Sequence, residues 1–399
     1  MKHKMISKAL SHKETLVRHR RFIHENAEIH NDLPITTQYV LSELKAMGYE
    51  PEEICQSGIV ALAGKRKGKT FLLRADMDAL PMVEENTLHF KSNTGHMHAC
   101  GHDMHTAMLL GAAQLLKEHE DELDGQVKLM FQPAEETLHG AKAMIDAGVL
   151  KNPTVDAAMM IHVMSGMPLP SGSVLVPQGG VLSAAADWFN ISVQGKGGHG
   201  AMPNTTVDPL NVISHIHIGL QEILSREVAP GDNVALTIGQ MHGGSTSNVI
   251  PDMAYLAGTA RTFGEETRSY VKQRIEEIAS GVAATYRASA EVVFERGCPS
   301  VVVDQKLRDQ VYTFASDLVA ADRLIDPAAI GFTKMSGSED FSHVSLEVPS
   351  IMVSLAAGSP EENYTFPMHH PKVMFDEEAL HVGAALYAHV AMSWLKHNK

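Results

Sequence analysis

The stretch His98-Ala-Cys-Gly-His-Asp-Met-His-Thr-Ala-Met-Leu-Leu-Gly-Ala-Ala-Gln-Leu-Leu-Lys117 decides how the chain is read. Its second part, 104–117, is a run of good helix formers, and Asp103 stands where a capping residue would stand. Apolar runs lie on both sides: Thr70-Phe-Leu-Leu73 before it, then Val127-Lys-Leu-Met-Phe131 and Ala157-Ala-Met-Met-Ile161 after it. A helical segment around Gly140–Ala147 separates the last two. Strand, helix, strand, helix, strand is a βαβ succession, which predicts a largely parallel sheet with helices on both faces.

The first part of the same stretch carries chemistry. Cys100 and His102 stand two positions apart. On a helix such residues diverge, whereas in an extended segment they point the same way. An extended Cys-Gly-His, with Gly101 leaving room for close approach, closes two bonds onto one divalent cation. Cys, His and carboxylate are the ligand set of zinc and its first-row neighbours. Taken alone, the stretch reads equally well as a buried free cysteine beside a capped helix. The strands separate the two readings. Glu135 and Glu136 follow the run at 127–131, His162 ends the run at 157–161, and Asp76 and Asp78 follow the run at 70–73. Open α/β sheets bind ligands beyond the carboxyl ends of their strands, and three strands here deliver metal-type residues at that end. Met368-His-His-Pro371 adds a fourth source far downstream.

At 399 residues the chain exceeds the usual length of one domain. Its hydrophobic content of 44% and charged content of 20% suit a folded globular protein. A net charge of −14 argues against a nucleic-acid partner. No segment is long and apolar enough to cross a membrane. The basic start, Met1-Lys-His-Lys-Met-Ile-Ser-Lys8, leads into no apolar core or cleavage site, so no secretory signal is expected. Three cysteines, Cys55, Cys100 and Cys298, are too few for a disulfide framework and point to a reducing cytoplasm. Most of the 23 histidines, among them His12, His19, His24, His119, His215, His217 and His389, lie in helix-like or charged stretches and read as surface or core residues.

Helical periodicity covers about Lys13–Ala27 and Thr36–Met47, and Gly58–Ala63 reads as a further strand. Near residue 185 the pattern changes. Asp187–Gln194 alternates like a half-exposed strand. A helix at about Val207–Arg226, strands at Asn233–Met241 and Met253–Arg261, a helix at about Glu265–Arg287 and a strand at Ala290–Glu295 follow. That order is a small ferredoxin-like α+β unit with helices on one face. Beyond Gly297 the α/β pattern resumes, with a helix near Gln305–Ala321 and the apolar Ser350-Ile-Met-Val-Ser-Leu355. The expectation is a domain of residues 1–185 and 297–399 carrying an inserted domain of residues 186–296.

Adjacent Glu135 and Glu136 are costly without a cation, because close like charges raise one another's pKa. Their side chains diverge, so one can bind metal while the other faces a substrate. That is the division of labour of a metal-activated hydrolase, in which a carboxylate takes the proton of a water acidified by the metal. A solvent-exposed acidic helix start is the competing reading. Asp76 and Asp78 either orient ligands or cap the next turn. Gly195-Lys-Gly-Gly-His-Gly200 matches G-x-G-x-x-G but fails on context, since Pro203 and polar residues intervene before the helix and no acid ends a second strand at the required distance. A glycine loop presenting His199, or a plain hairpin turn, remains. No G-x-S-x-G occurs, and a Cys100 nucleophile paired with His102 would leave the glutamate pair and His162 unexplained.

The segments RADMDALP (74–81), HACGHDMHTA (98–107), QPAEE (132–136), IHV (161–163), GKGGHGAMP (195–203), SNVIP (247–251), GTART (258–262), GSEDF (337–341) and HHP (369–371) together resemble the aminoacylase/glutamate carboxypeptidase family of metallopeptidases. The resemblance is strongest to its amidohydrolase branch, which includes hippurate hydrolases, bacterial aminoacylases and auxin-conjugate hydrolases, and it runs in order across nearly the whole chain. It implies a catalytic domain with an inserted lid and dimerisation domain, hence a homodimer. It implies two divalent cations, zinc or manganese, held by Cys100, His102, Glu136, His162 and His369. His369 rather than His370 fits the family's His-x-Pro pattern. Glu135 would be the general base and later the proton donor, and Asp78 the acid that orients a ligand. His199 would stabilise the oxyanion, with Asn248 and Arg261 as substrate contacts, the Arg261 fork suiting a carboxylate. The implied reaction is hydrolysis of the amide of N-acyl amino acids. A dipeptidase or carboxypeptidase and a noncatalytic metal-binding protein are the alternatives.

Overall fold

The computed structural model describes residues 2–399. The chain forms two compact units: one runs to Leu182 and includes Val302–Thr333 and Asp340–Lys399, and the other comprises Ser183–Val301 and Lys334–Glu339.

The first unit is built on an eight-stranded sheet. Its strands run in the order Glu52–Cys55, Gly58–Ala63, Gln126–Gln132, Thr70–Asp76, Ala157–Met164, Ser350–Ala356, Val174–Leu175 and Leu324–Ile325. Thr70–Asp76 pairs in parallel with Gln126–Gln132 and with Ala157–Met164, which in turn pairs in parallel with Ser350–Ala356. Every residue of Thr70–Asp76 and Ala157–Met164 is buried. This explains their unbroken apolar runs, since strands covered on both faces do not alternate. The helices His102–Glu118, Lys13–Glu25 and Ala379–His397 pack together beside this sheet. Gly383 permits the contact, because a Cβ there would fall 2.0 Å from Met108 Sδ. Tyr387 of the last helix donates its hydroxyl to Arg74 O at 2.7 Å and accepts from Ile161 N at 2.8 Å, tying that helix to two central strands.

Register decides where the chemistry gathers. Asp76 pairs with Gln132, and Ser354 with His162, so the carboxyl ends of the central strands lie level. These strands are longer than their apolar runs, so Asp76 and His162 lie within strands and not beyond them. The helix expected to Ala321 ends at Ala315.

The second unit has a four-stranded antiparallel sheet in the order Ala235–Gly243, Met253–Thr262, Ala185–Gln194, Ser289–Cys298. Helices Pro209–Glu222 and Glu265–Thr285 bury Val212, Ile216, Val271 and Ile275 with Phe189, Ile191, Val193 and Leu256. Element order and strand order are those of a ferredoxin-like fold. Asp208 caps the first helix by accepting from Leu210 N at 2.9 Å.

Candidate metal centre

Cys100-Gly-His102 is not extended. Gly101 takes a left-handed conformation (φ +88°) immediately before the helix, and His102 is the first helical residue. Only glycine suits that turn, and a Cβ would also fall 2.4 Å from Val163 Cγ2. The turn, not strand geometry, brings the Cys100 and His102 side chains together. Asp103 is not the helix cap either. It lies buried in the first turn, where its Oδ2 accepts from Arg20 Nε at 2.8 Å and from His24 Nδ1 at 2.9 Å.

His102 donates Nδ1–H to the main-chain carbonyl of Asp78 at 2.7 Å, which leaves the Nε2 lone pair facing inward. That atom is buried with no hydrogen-bond partner among the described residues. Asp76 Oδ2 lies 3.7 Å from it, and Glu135 Oε2 and Glu136 Oε1 both lie 4.0 Å away. Burial opposes positive charge on His102, but the Asp76 carboxylate beside it raises its pKa well above the usual value. The position therefore favours a positive charge, and a cation satisfies both the lone pair and the carboxylates.

His162 sets its Nδ1 2.7 Å from Val163 O, so its Nε2 points to Cys100 Sγ, 3.5 Å away. Sulfur and nitrogen bound to one tetrahedral cation stand about 3.6 Å apart at ordinary zinc bond lengths. Burial and the nearby Glu136 carboxylate push the Cys100 thiol up, so a thiolate there calls for a compensating cation. Glu136 Oε1 lies 3.7 Å from His369 Nε2. His369 has a left-handed backbone (φ +64°) and donates its N–H to Ala99 O at 2.9 Å, next to Cys100. Neighbouring His370 stacks on Phe366 and accepts from Lys372 N with its Nδ1. Among the overlapping groups are Cys100, His102 and His162; Cys100, Glu136 and His369; His102, Glu135 and Glu136; and Asp76, His102 and His105. Overlap through shared members supports two divalent cations rather than one.

Asp78, expected as the acid that orients a ligand, has its carboxylate Oδ1 3.6 Å from His102 Nδ1. Its carboxylate accepts from Glu135 N at 2.9 Å and Glu136 N at 3.2 Å, while its carbonyl orients His102. The preceding Ala134 has φ +57°, which turns the chain at this point. Asp76, expected to orient a ligand or cap a turn, is locked by Arg74 Nη1 and His105 Nδ1, both at 2.6 Å.

Sequence reasoning missed His105, Arg74, Gln132 and Asp340 as parts of this site. His105 Nε2 accepts from Val163 N at 2.8 Å, so both ring nitrogens are engaged, and it acts as a strut beneath His162. Its spacing of three from His102 on a helix was the available signal. Arg74 donates to Gln132, Asp76 and Asp340, and Asp340 presents its own N–H to Glu135 Oε1 at 3.4 Å. These partners lie up to 266 positions apart.

In the second unit, Gly198–His199 pairs with Val249–Ile250. His199 Nδ1 accepts from Ala201 N at 3.0 Å, which fixes the proton on Nε2. Asn248 Oδ1 accepts from Thr246, so its NH2 is the free donor end. Arg261 donates Nη1 to Ser338 Oγ at 2.8 Å and lies over Trp188. The glycine loop is therefore a paired turn presenting an exposed histidine.

The sequence profile of peptidase family M20/M25/M40 matches residues 72–393. The chain is 36% identical over 386 residues to thermostable carboxypeptidase 2 of Saccharolobus solfataricus, covering 95% of each chain. It is 37% identical over 382 residues to IAA-amino acid hydrolase ILR1-like 4 of Arabidopsis thaliana, covering 94% of this chain and 84% of the other. It is 36% identical over 381 residues to N-acetylcysteine deacetylase of Bacillus subtilis, covering 94% and 96%. Among solved structures, the YXEP protein of Bacillus subtilis, described as a dinuclear metal-binding peptidase from the M20 family, superposes with a TM-score of 0.77 at 32% identity, covering 97% of this chain and 99% of its own.

Proposed function

The chain belongs to peptidase family M20/M25/M40 and is a metal-dependent hydrolase of amide bonds, and we propose that within this family it is an amidohydrolase of N-acyl amino acids. The observation that carries the reading is that Glu135 and Glu136 both lie 4.0 Å from His102 Nε2 while only Glu136 also joins Cys100 and His369. Asp78 holds both main-chain N–H groups, Glu136 reaches the group containing Cys100 and His369, and Glu135 stays out of that group. A binding site alone has no need of a second carboxylate in that position.

In this reading Cys100, His102, Glu136, His162 and His369 hold the cations, zinc or manganese by their donor set. Held there, divalent cations would supply Lewis acidity toward a water and the amide carbonyl. Glu135 accepts the water proton as the oxygen–carbon bond forms, and delivers it to the amine nitrogen as the carbon–nitrogen bond breaks. Asp78 fixes the main chain of both glutamates, and His105 steadies His162. From the inserted unit, read here as a lid that also forms a homodimer, the Nε2–H of His199 serves the oxyanion. Asn248 donates to the substrate, and Arg261 takes its carboxylate. Relatives named for N-acetylcysteine and IAA-amino acids favour an acylated substrate. The carboxypeptidase relatives favour the second reading, in which the acyl part is itself an amino acid. Three free cysteines suit a cytoplasmic setting.

The test is release of free amino acid from N-acetyl, N-benzoyl and dipeptide substrates, with added manganese or zinc and again after chelation. Metal-dependent release from acylated substrates supports the amidohydrolase. Preference for dipeptides supports the peptidase, and no release with metal bound contradicts both.

A further inference from the structure

On the open face of the ferredoxin-like sheet, Trp188 carries a guanidinium from each neighbouring strand. Arg261 Cζ lies 4.7 Å and Arg296 Cζ 4.3 Å from the ring centroid. Arg296 reaches that face because of a β-bulge. Phe294 pairs with Phe189 and Arg296 with Trp188, so Glu295 is the extra residue. Without the bulge, alternation would send Arg296 to the helix-covered side with Phe294, since residues two apart share a face. Asn190 holds the Glu295 carboxylate.

Among the described residues neither of these two cations makes an ion pair. Elsewhere in the unit Arg268 binds Asp187 and Glu265, and Arg274 binds Glu227 and Glu277. Arg261 has only the Ser338 hydroxyl, and Arg296 makes no hydrogen bond or ion pair among the described residues. Asp187, the nearby acid, is engaged by Arg268 and Lys272. Burial and the charge of Arg296 both lower the Arg261 pKa. Two like charges against one indole, one of them half-buried, form a site for an anion.

We propose that Arg261 and Arg296, set on either side of Trp188, form a two-guanidinium site that selects N-acyl amino acids bearing a second acid group on the side chain. Arg261 takes the α-carboxylate and Arg296 the side-chain carboxylate. The proposal rests on the N-acyl amino acid reading and adds the class of side chain.

N-acetylglutamate and N-acetylglutamine are near-isosteric and differ by one charge. Their binding is measured with the metal-loaded full chain carrying Glu135→Gln to prevent turnover, and their hydrolysis with the parent protein. Trp188 fluorescence reports binding, since the chain has 2 tryptophans and Trp394→Phe removes the other. N-acetylglutamate is expected to bind about tenfold tighter than N-acetylglutamine, the size of one charge-assisted contact. Arg296→Gln should bring the ratio to about one, and Arg296→Lys should keep part of it by retaining charge without the fork. Equal affinities in the parent, discrimination surviving Arg296→Gln, or no binding of either ligand overturns the proposal. Hydrolysis of both ligands without discrimination overturns this inference and leaves the amidohydrolase standing. Discriminating binding without hydrolysis of either does the reverse.

Discussion

His102 sets its Nδ1 2.7 Å from the carbonyl of Asp78, and this one contact turns Nε2, buried and without a hydrogen-bond partner among the described residues, into the centre of the ligand cluster. His102→Gln keeps the volume and removes that nitrogen. The protein is expected to retain its fold and lose at least one bound cation after dialysis, read by elemental analysis, with activity falling in step. Full metal content in this variant would remove His102 from the ligand set.

Asp78 acts through two different groups, so its side chain can be tested apart from its backbone. Asp78→Asn preserves the carbonyl that orients His102 and replaces an acceptor of the Glu135 and Glu136 N–H groups with a donor. Metal affinity is expected to stay near the parent value while kcat falls by up to about 10²-fold from misplacement of the glutamates. If affinity fell by about 10- to 100-fold instead, the carboxylate would be acting on a metal ligand directly.

The buried group Arg20–Asp103–His24–Glu84 predicts a pH signature in stability. Burial opposes charge on His24, yet its hydrogen bonds to Asp103 and Glu84 raise its pKa above 6.5. Burial likewise opposes ionised Glu84, and His24 lowers its pKa below 4.5. The His24 contribution is complete below pH 6.5 and lost as pH rises through the raised value. The Glu84 contribution is present above pH 4.5 and lost as pH falls. His24→Gln should therefore cost most between these limits, about 3 kcal/mol in denaturant unfolding. A cost that does not change with pH would contradict a charged His24.

Lys128 ends inside a cage of three carbonyls, those of Val149, Lys151 and Pro153, each at 2.8 Å from Nζ. Lys128→Met, in a buried strand, takes away the donor shared by these three turn carbonyls, and should cost about 2–3 kcal/mol. Denaturant midpoints measure this, and metal content should not change.

The α/β class was legible because Thr70–Leu73, Val127–Phe131 and Ala157–Ile161 are too apolar to be exposed on either face, and helix-forming segments separate them. The ferredoxin-like unit was legible from element order alone. The shape of Cys100-Gly-His102 was not, because a left-handed glycine and an extended one look the same in sequence. Asp103 passed for a cap because its partners, Arg20 and His24, lie 83 and 79 positions away. The struts of the site, His105 beneath His162 and Arg74 joined to Asp340, depend on strand register and on no local pattern.

The central claim is that Glu135 is the carboxylate that moves the proton while its neighbour binds metal. The direct measurement is steady-state hydrolysis of an N-acetyl amino acid by the metal-loaded parent and by Glu135→Gln, with metal content determined on the same samples. The account predicts a loss of about 10²–10⁴-fold in kcat with both cations retained. Turnover near the parent rate, or loss of metal together with activity, would contradict it.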